Sequence, residues 1–293
     1  MLLNRFWCAQ RALLPLLGCL ALATLTDCDP GASNEEGTEE PAYVPPPSTV
    51  LPSLFGTPQQ SGSGTSIDRW QKDSVKRDDL NYFFMANGWG PGFLSQTVTW
   101  NGTSFSVDSM EGARGKNYEP ATYPTVFCGV YSDSRSGECG LPKALSSIQS
   151  LRTGWRWTAN GNSGQYNAAY DIWLGDSEDI EDHKSFLMVW LRDPPGQQPA
   201  GSPKFTTIGV SNAPGTWNIW VGKVGNKPCI SYVRKEGQDS PELEIDVMDF
   251  VRDAASRNIT IPGSTVLSVA VGFEIWSGPV TNLQANDFYV QVQ

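Results

Sequence analysis

Histidine is almost missing from this chain: there is one, His183, among 293 residues. It sits in the charged run Glu181-Asp182-His183-Lys184, where a solvated turn is expected, and no Ser/His/Asp relay or His-rich metal site can be assembled around it. The acidic cluster at 176–182 lacks a 12-residue calcium-loop pattern with a central glycine, so no metal is expected there either. Basic residues are scarce as well, 21 Lys and Arg against 31 Asp and Glu, for a formal net charge of −10 with no basic cluster. That balance excludes a phosphate-neutralising surface, and with it nucleic acid as a partner. The apolar stretch at 12–25 is 14 residues long, too short to cross a bilayer as a permanent helix. There is no internal repeat and no phosphate-cradling glycine loop; no cofactor is implied, and nothing points beyond a monomer.

What the chain has in quantity is aromatic rings and turn-formers: 11 Trp, 12 Phe and 9 Tyr beside 29 Gly and 21 Pro. Large flat side chains alternating with chain-reversing residues suit many short strands, so the fold class expected is all-β. With 39% hydrophobic content the chain can fill one large core with segments left over. One leftover is N-terminal, where Arg5 and Arg11 precede the 12–25 apolar stretch as in an export signal. Leu25-Thr26-Asp27-Cys28 is similar to the end of a bacterial lipoprotein signal, which implies a signal over 1–28, a lipid on Cys28 and a place at the cell envelope; secretion without a lipid is the alternative. The lipid would be the only membrane contact. Residues 29–65, with Glu35, Glu36, Glu39, Glu40, three consecutive prolines from Pro45, and Ser61-Gly62-Ser63-Gly64, read as a disordered tether. Export permits a disulfide, and Cys128 with Cys139 closes a short loop, leaving Cys229 as a buried thiol.

Residues 66–293 form the expected globular domain. Asn101-Gly102 between two alternating runs marks a tight hairpin, and period two recurs in Trp217-Asn218-Ile219-Trp220-Val221. One segment has helical spacing: Val247, Phe250, Val251 and Ala254 fall at i, i+3, i+4 and i+7 behind Asp246, which predicts one capped helix over 246–256. The architecture expected is a two-sheet sandwich with one short helix packed on it. Period two also places Phe186, Met188 and Trp190 on one face, Ala169, Asp171 and Trp173 on another, and Gly272, Glu274 and Trp276 on a third. If these faces line one groove, carboxyl groups and indoles meet there, a pairing suited to the flat apolar faces and equatorial hydroxyls of β-linked sugars. Trp155, Trp157, Trp217 and Trp220 are expected in the core.

Several blocks together carry a family resemblance: Asp68-Arg69-Trp70, Asn87-Gly88-Trp89-Gly90, Tyr123-Pro124, Asn167-Ala168-Ala169-Tyr170-Asp171-Ile172-Trp173, Leu187-Met188-Val189-Trp190-Leu191, Pro199-Ala200-Gly201-Ser202 and Gly272-Phe273-Glu274-Ile275-Trp276. In order and spacing they resemble glycoside hydrolase family 12. The resemblance implies a β-jelly roll with a long concave cleft and the substrates of endo-β-1,4-glucanases and xyloglucanases. It implies that Glu274 holds the acid/base position and Asp171 the carboxyl supporting the nucleophile. It further implies that Trp70, Asn87, Trp89, Asn167, Met188, Trp190 and Trp276 line the sugar-binding cleft, with Trp70 and Trp89 as platforms on its non-reducing side.

The chemistry departs from the family at one position. A retaining glycosidase sets two carboxyl groups about 5 to 5.5 Å apart, and the nucleophile position here is occupied by Phe186. Asp182 is four residues away, about 13 Å along an extended strand, and Glu181 has the opposite parity. Phenylalanine has no lone pair to form a glycosyl ester. The expected function is therefore recognition of a β-1,4-glucan or xyloglucan-like polysaccharide without hydrolysis. The alternatives are an active glucanase using Glu274 with a second carboxylate, Asp171 being the candidate, and a surface scaffold that binds no sugar.

Overall fold

A computed structural model describes residues 52–115, 119–162, 164–235, 237 and 239–293. The expected export signal, Cys28 and the expected tether up to residue 51 lie outside the described residues. In chain order the first strands are β1 (Gln60–Ser61), β2 (Ser63–Ser66), β3 (Lys72–Arg77), β4 (Leu80–Met85), β5 (Phe93–Asn101) and β6 (Ser104–Gly112). Then come β7 (Thr125–Tyr131), β8 (Ser134–Arg135), β9 (Lys143–Ala144), β10 (Leu151–Thr158), β11 (Ala168–Gly175) and β12 (Ser185–Arg192). The rest is β13 (Ser202–Val210), β14 (Ala213–Val224), β15 (Lys227–Arg234), β16 (Glu242–Asp246), α1 (Val247–Ser256), β17 (Thr265–Gly272) and β18 (Val280–Val292).

These strands form two sheets. The larger runs β1-β3-β4-β7-β17-β11-β12-β15-β14-β13, with β8 beside β7 and β9 beside β17, and the smaller runs β16-β10-β18-β6-β5-β2. All neighbours are antiparallel except β12 and β15, which run parallel. Alternation sends one set of side chains between the sheets, where Trp155, Trp157, Tyr170, Trp217 and Phe273 join the main core. The larger sheet outruns its partner, and α1 fills the uncovered end: Phe250 meets Trp217 and Tyr232 edge-on, at 5.6 and 5.0 Å between ring centroids. Asp246 caps that helix through Met248 N at 2.9 Å, and its carboxylate also accepts from Leu151 N and Ser150 Oγ.

The tether expected over 29–65 ends earlier than its composition suggests. Gln60 and Ser61 pair with Arg77 and Lys76 at the edge of the larger sheet, and Ser63 to Ser66 pair with β5 at the edge of the smaller one. Pairing uses backbone groups alone, so Ser/Gly side chains do not prevent it. At position 64 glycine is required, because a Cβ there would lie 2.5 Å from the Trp100 ring. Farther upstream a strap crosses the outer face of the smaller sheet. Arg152 donates to Pro52 O, Leu54 N donates to Glu244 at 2.7 Å, and Phe55 meets Tyr289 edge-on at 5.4 Å beneath the Arg156 guanidinium. Cys128 and Cys139 are joined by a disulfide, and Cys229 is a buried free thiol.

Candidate functional site

Three adjacent strands, β17, β11 and β12, carry the candidate chemistry on the face of the larger sheet that points away from the core. Register sets Ala270 beside Asp171 and Asp171 beside Met188; two residues along, Trp173 lies beside Phe186, and Phe186 beside Cys229. Glu274 lies just beyond β17, where single bridges tie Ile275 to Thr122 and to Tyr166.

Asp171 is buried, and both of its hydrogen bonds fall on one oxygen: Tyr131 Oη and Trp173 Nε1 each donate to Oδ2 at 3.0 Å. Its Oδ1 is buried with no hydrogen-bond partner among the described residues. Burial outweighs the two donors and lifts the pKa of this carboxyl to about 7. Glu274 is clasped by Asn167, whose Nδ2 donates to Glu274 Oε2 and whose Oδ1 accepts from Glu274 N at 2.9 Å. A backbone bond from Asn167 N to Glu274 O, at 3.0 Å, completes the clasp. Burial is the largest influence on Glu274 and raises its pKa to about 8; the Asn167 bond opposes the rise and the Asp171 charge adds to it. Burial thus biases the Glu274 carboxyl toward its neutral form, the form a general acid uses.

The position that the family resemblance assigns to the nucleophile holds Phe186. Phe186 is 5% exposed and stacks on Trp173 with centroids 4.6 Å apart and planes 26° apart. Around it, Ala169, Met188, Trp190, Cys229 and Trp276 form an apolar cluster on the same face. Asp182 is committed to its own turn, accepting from Asp176 N, Ser177 N and Ser177 Oγ and pairing with Lys184 at 3.2 Å.

The residues expected to touch sugar separate into two groups. Trp70 is 54% exposed, and Asn87 and Trp89 are partly exposed. Met188, Trp190 and Trp276 are buried among one another, the two indoles 5.7 Å apart, and Asn167 is fully buried with its amide turned to Glu274. Asn167 therefore holds the Glu274 carboxyl instead of presenting a free amide. Two further expectations are corrected. Trp220 is not core: it packs, partly buried, against the Phe186 cluster on the outer face, because it is out of phase with Trp217 and Ile219 along β14. His183 is not a solvated turn residue: its ring meets Trp173 edge-on at 4.9 Å, and Lys227 Nζ donates to its carbonyl while lying 5.6 Å from the same indole. Burial and the Lys227 charge push the His183 pKa down, so a neutral imidazole braces Trp173. Tyr131 and Lys227 were not anticipated; the alternation Phe127, Gly129, Tyr131 along β7 was the available signal for the first.

Residues 81–293 match the glycosyl hydrolase family 12. The xyloglucan-specific endo-β-1,4-glucanase A of Aspergillus niger is 26% identical over 150 residues, covering 51% of this chain and only 61% of that enzyme. Endoglucanase S of Pectobacterium parmentieri is 26% identical over 244 residues, 78% of this chain and 89% of that protein. Among solved structures, the endoglucanase Cel12A from Rhodothermus marinus superposes with a TM-score of 0.67 at 27% identity, covering 78% of this chain and 99% of that one. With the family match extending from β4 through β18, the chain belongs to glycosyl hydrolase family 12.

Proposed function

We propose that this protein recognises a β-1,4-glucan or a related polysaccharide such as xyloglucan at the cell envelope and does not hydrolyse it. The observation that carries this reading is Phe186, buried and stacked on Trp173 at the nucleophile position. Asp171, the carboxyl that the resemblance makes its support, remains one pair along on the same face, its Oδ1 without a hydrogen-bond partner among the described residues. Loss of a covalent nucleophile lowers a glycosidase's rate by about 10⁴-fold or more, and the proton donor Glu274 alone does not replace it. The names of the relatives, an endoglucanase and a xyloglucan-specific glucanase, support the sugar class. The lipoprotein-like signal at Cys28 supports lipid anchoring at the cell surface.

The test is release of reducing ends from β-glucan and xyloglucan by the natural protein, Phe186→Glu and Glu274→Gln, beside binding of the same polymers. The reading expects binding without turnover in the natural protein and turnover gained by Phe186→Glu. Turnover by the natural protein that disappears in Glu274→Gln overturns it and makes Asp171 the second carboxylate of an active enzyme. Absence of polymer binding overturns the recognition itself.

A further inference from the structure

We propose that Arg69 is a positioning residue that fixes Trp70 and Trp89 as paired aromatic platforms for a long β-glucan chain; this rests on the glucan-binding reading above. Arg69 lies on the turn between β2 and β3, which Asp68 shapes by accepting from Trp70 N through its carboxylate and from Gln71 N through its carbonyl. Its guanidinium carbon sits 4.4 Å from the Phe93 ring centroid and 5.1 Å from that of Trp70, so the planar group contacts both aromatic rings. From that position Nε donates to Gly88 O and Nη2 donates to Gly90 O at 3.2 Å. These carbonyls flank Trp89 in the sequence, so one side chain brackets the backbone that carries the second indole. The approach is close enough to require glycine, since a Cβ on Gly88 would lie 2.9 Å from Arg69 Cβ and 2.7 Å from the Phe93 ring.

Only arginine has the flat, forked donor set to do this. The guanidinium covers part of an indole that is still 54% exposed. An indole already held by cation–π contact loses little further freedom when a sugar ring stacks on it. Each side chain that must be immobilised on binding lowers affinity by about two- to tenfold, so holding the two indoles in advance is worth about tenfold.

The experiment is titration of a β-1,4-glucose hexasaccharide into the natural protein, Arg69→Met, Arg69→Lys, Trp70→Ala and the Arg69→Met/Trp70→Ala double variant. Arg69→Met is expected to bind about tenfold more weakly, and Arg69→Lys to fall between it and the natural protein. Because Arg69 acts through Trp70, the double variant is expected to lose clearly less than the product of the two single losses. Independent, multiplicative losses overturn the positioning role, as does unchanged affinity in Arg69→Met. Should Arg69→Met not fold, Arg69→Lys with its own Trp70→Ala cycle carries the same decision. A natural protein that binds neither the hexasaccharide nor the polymers overturns the glucan reading and this inference together; one that binds the polymers but not the hexasaccharide, or binds the hexasaccharide equally well without Arg69, overturns only the inference.

Discussion

Glu274→Gln should make the protein more stable at alkaline pH and leave it unchanged at acid pH. In the fold the Glu274 pKa rises from 4.5 to about 8, chiefly through burial, so folding favours the neutral acid. Below pH 4.5 both folded and unfolded chains are protonated there and the stabilisation is complete. As pH rises the unfolded chain ionises first, stability falls, and the loss is finished once pH passes about 8. At about 1.4 kcal/mol per pH unit for one proton, the ceiling on that loss is about 5 kcal/mol, and relaxation with water entry reduces it to about 2 kcal/mol. Glutamine imitates the protonated acid and keeps the acceptor that Asn167 Nδ2 uses. Thermal unfolding of both proteins from pH 4.5 to 9 measures the effect. The two melting temperatures should coincide at pH 4.5 and separate by roughly 4 to 8 °C above pH 8, the variant being higher. Coincidence at every pH would refute a charge-averse carboxyl, and a constant offset would show that the substitution acts through packing.

Further outcomes are expected from three other substitutions. Phe186→Ala opens a void beside Trp173 and Met188 and should cost about 3–5 kcal/mol in urea unfolding; a cost under about 1 kcal/mol would mean the ring is loosely held. Asn167→Ala removes the hydrogen bond that restrains the Glu274 pKa and should raise it above about 8; carboxyl-carbon NMR titration reads this, and an unchanged midpoint contradicts the clasp. Gly64→Val drives a branched side chain into the Trp100 ring and should destabilise the domain by about 1–3 kcal/mol, measured as a lower urea midpoint; a neutral effect would deny that β2 packs there.

Much of the fold was legible because side chains alternate along most of each strand. A period of two placed Phe186, Met188 and Trp190 on one face, which the fold turns outward, and it could have separated Trp220 from Trp217 and Ile219, which occupy the opposite phase. The 247–254 spacing and Asp246 identified the helix and its cap. What stayed hidden depends on partners distant in the chain. Ser61-Gly62-Ser63-Gly64 carries no side-chain signal for pairing, because the bonds that order it belong to backbone atoms of β3 and β5. Asn167 looked like a cleft amide until the bridge between Tyr166 and Ile275 brought Glu274 against it. His183, surrounded by charged neighbours in sequence, turns inward because the β11–β12 hairpin closes its ring onto Trp173.

The strap at Pro52 to Phe55 gives the molecule a mounting side. It is fastened to the outer face of the smaller sheet, and the Phe186 cluster lies on the outer face of the larger one. A bead or sensor surface joined on the N-terminal side of Pro52 therefore meets the strap's side of the sandwich and leaves the outer face of the larger sheet, with the Phe186 cluster, toward the solution.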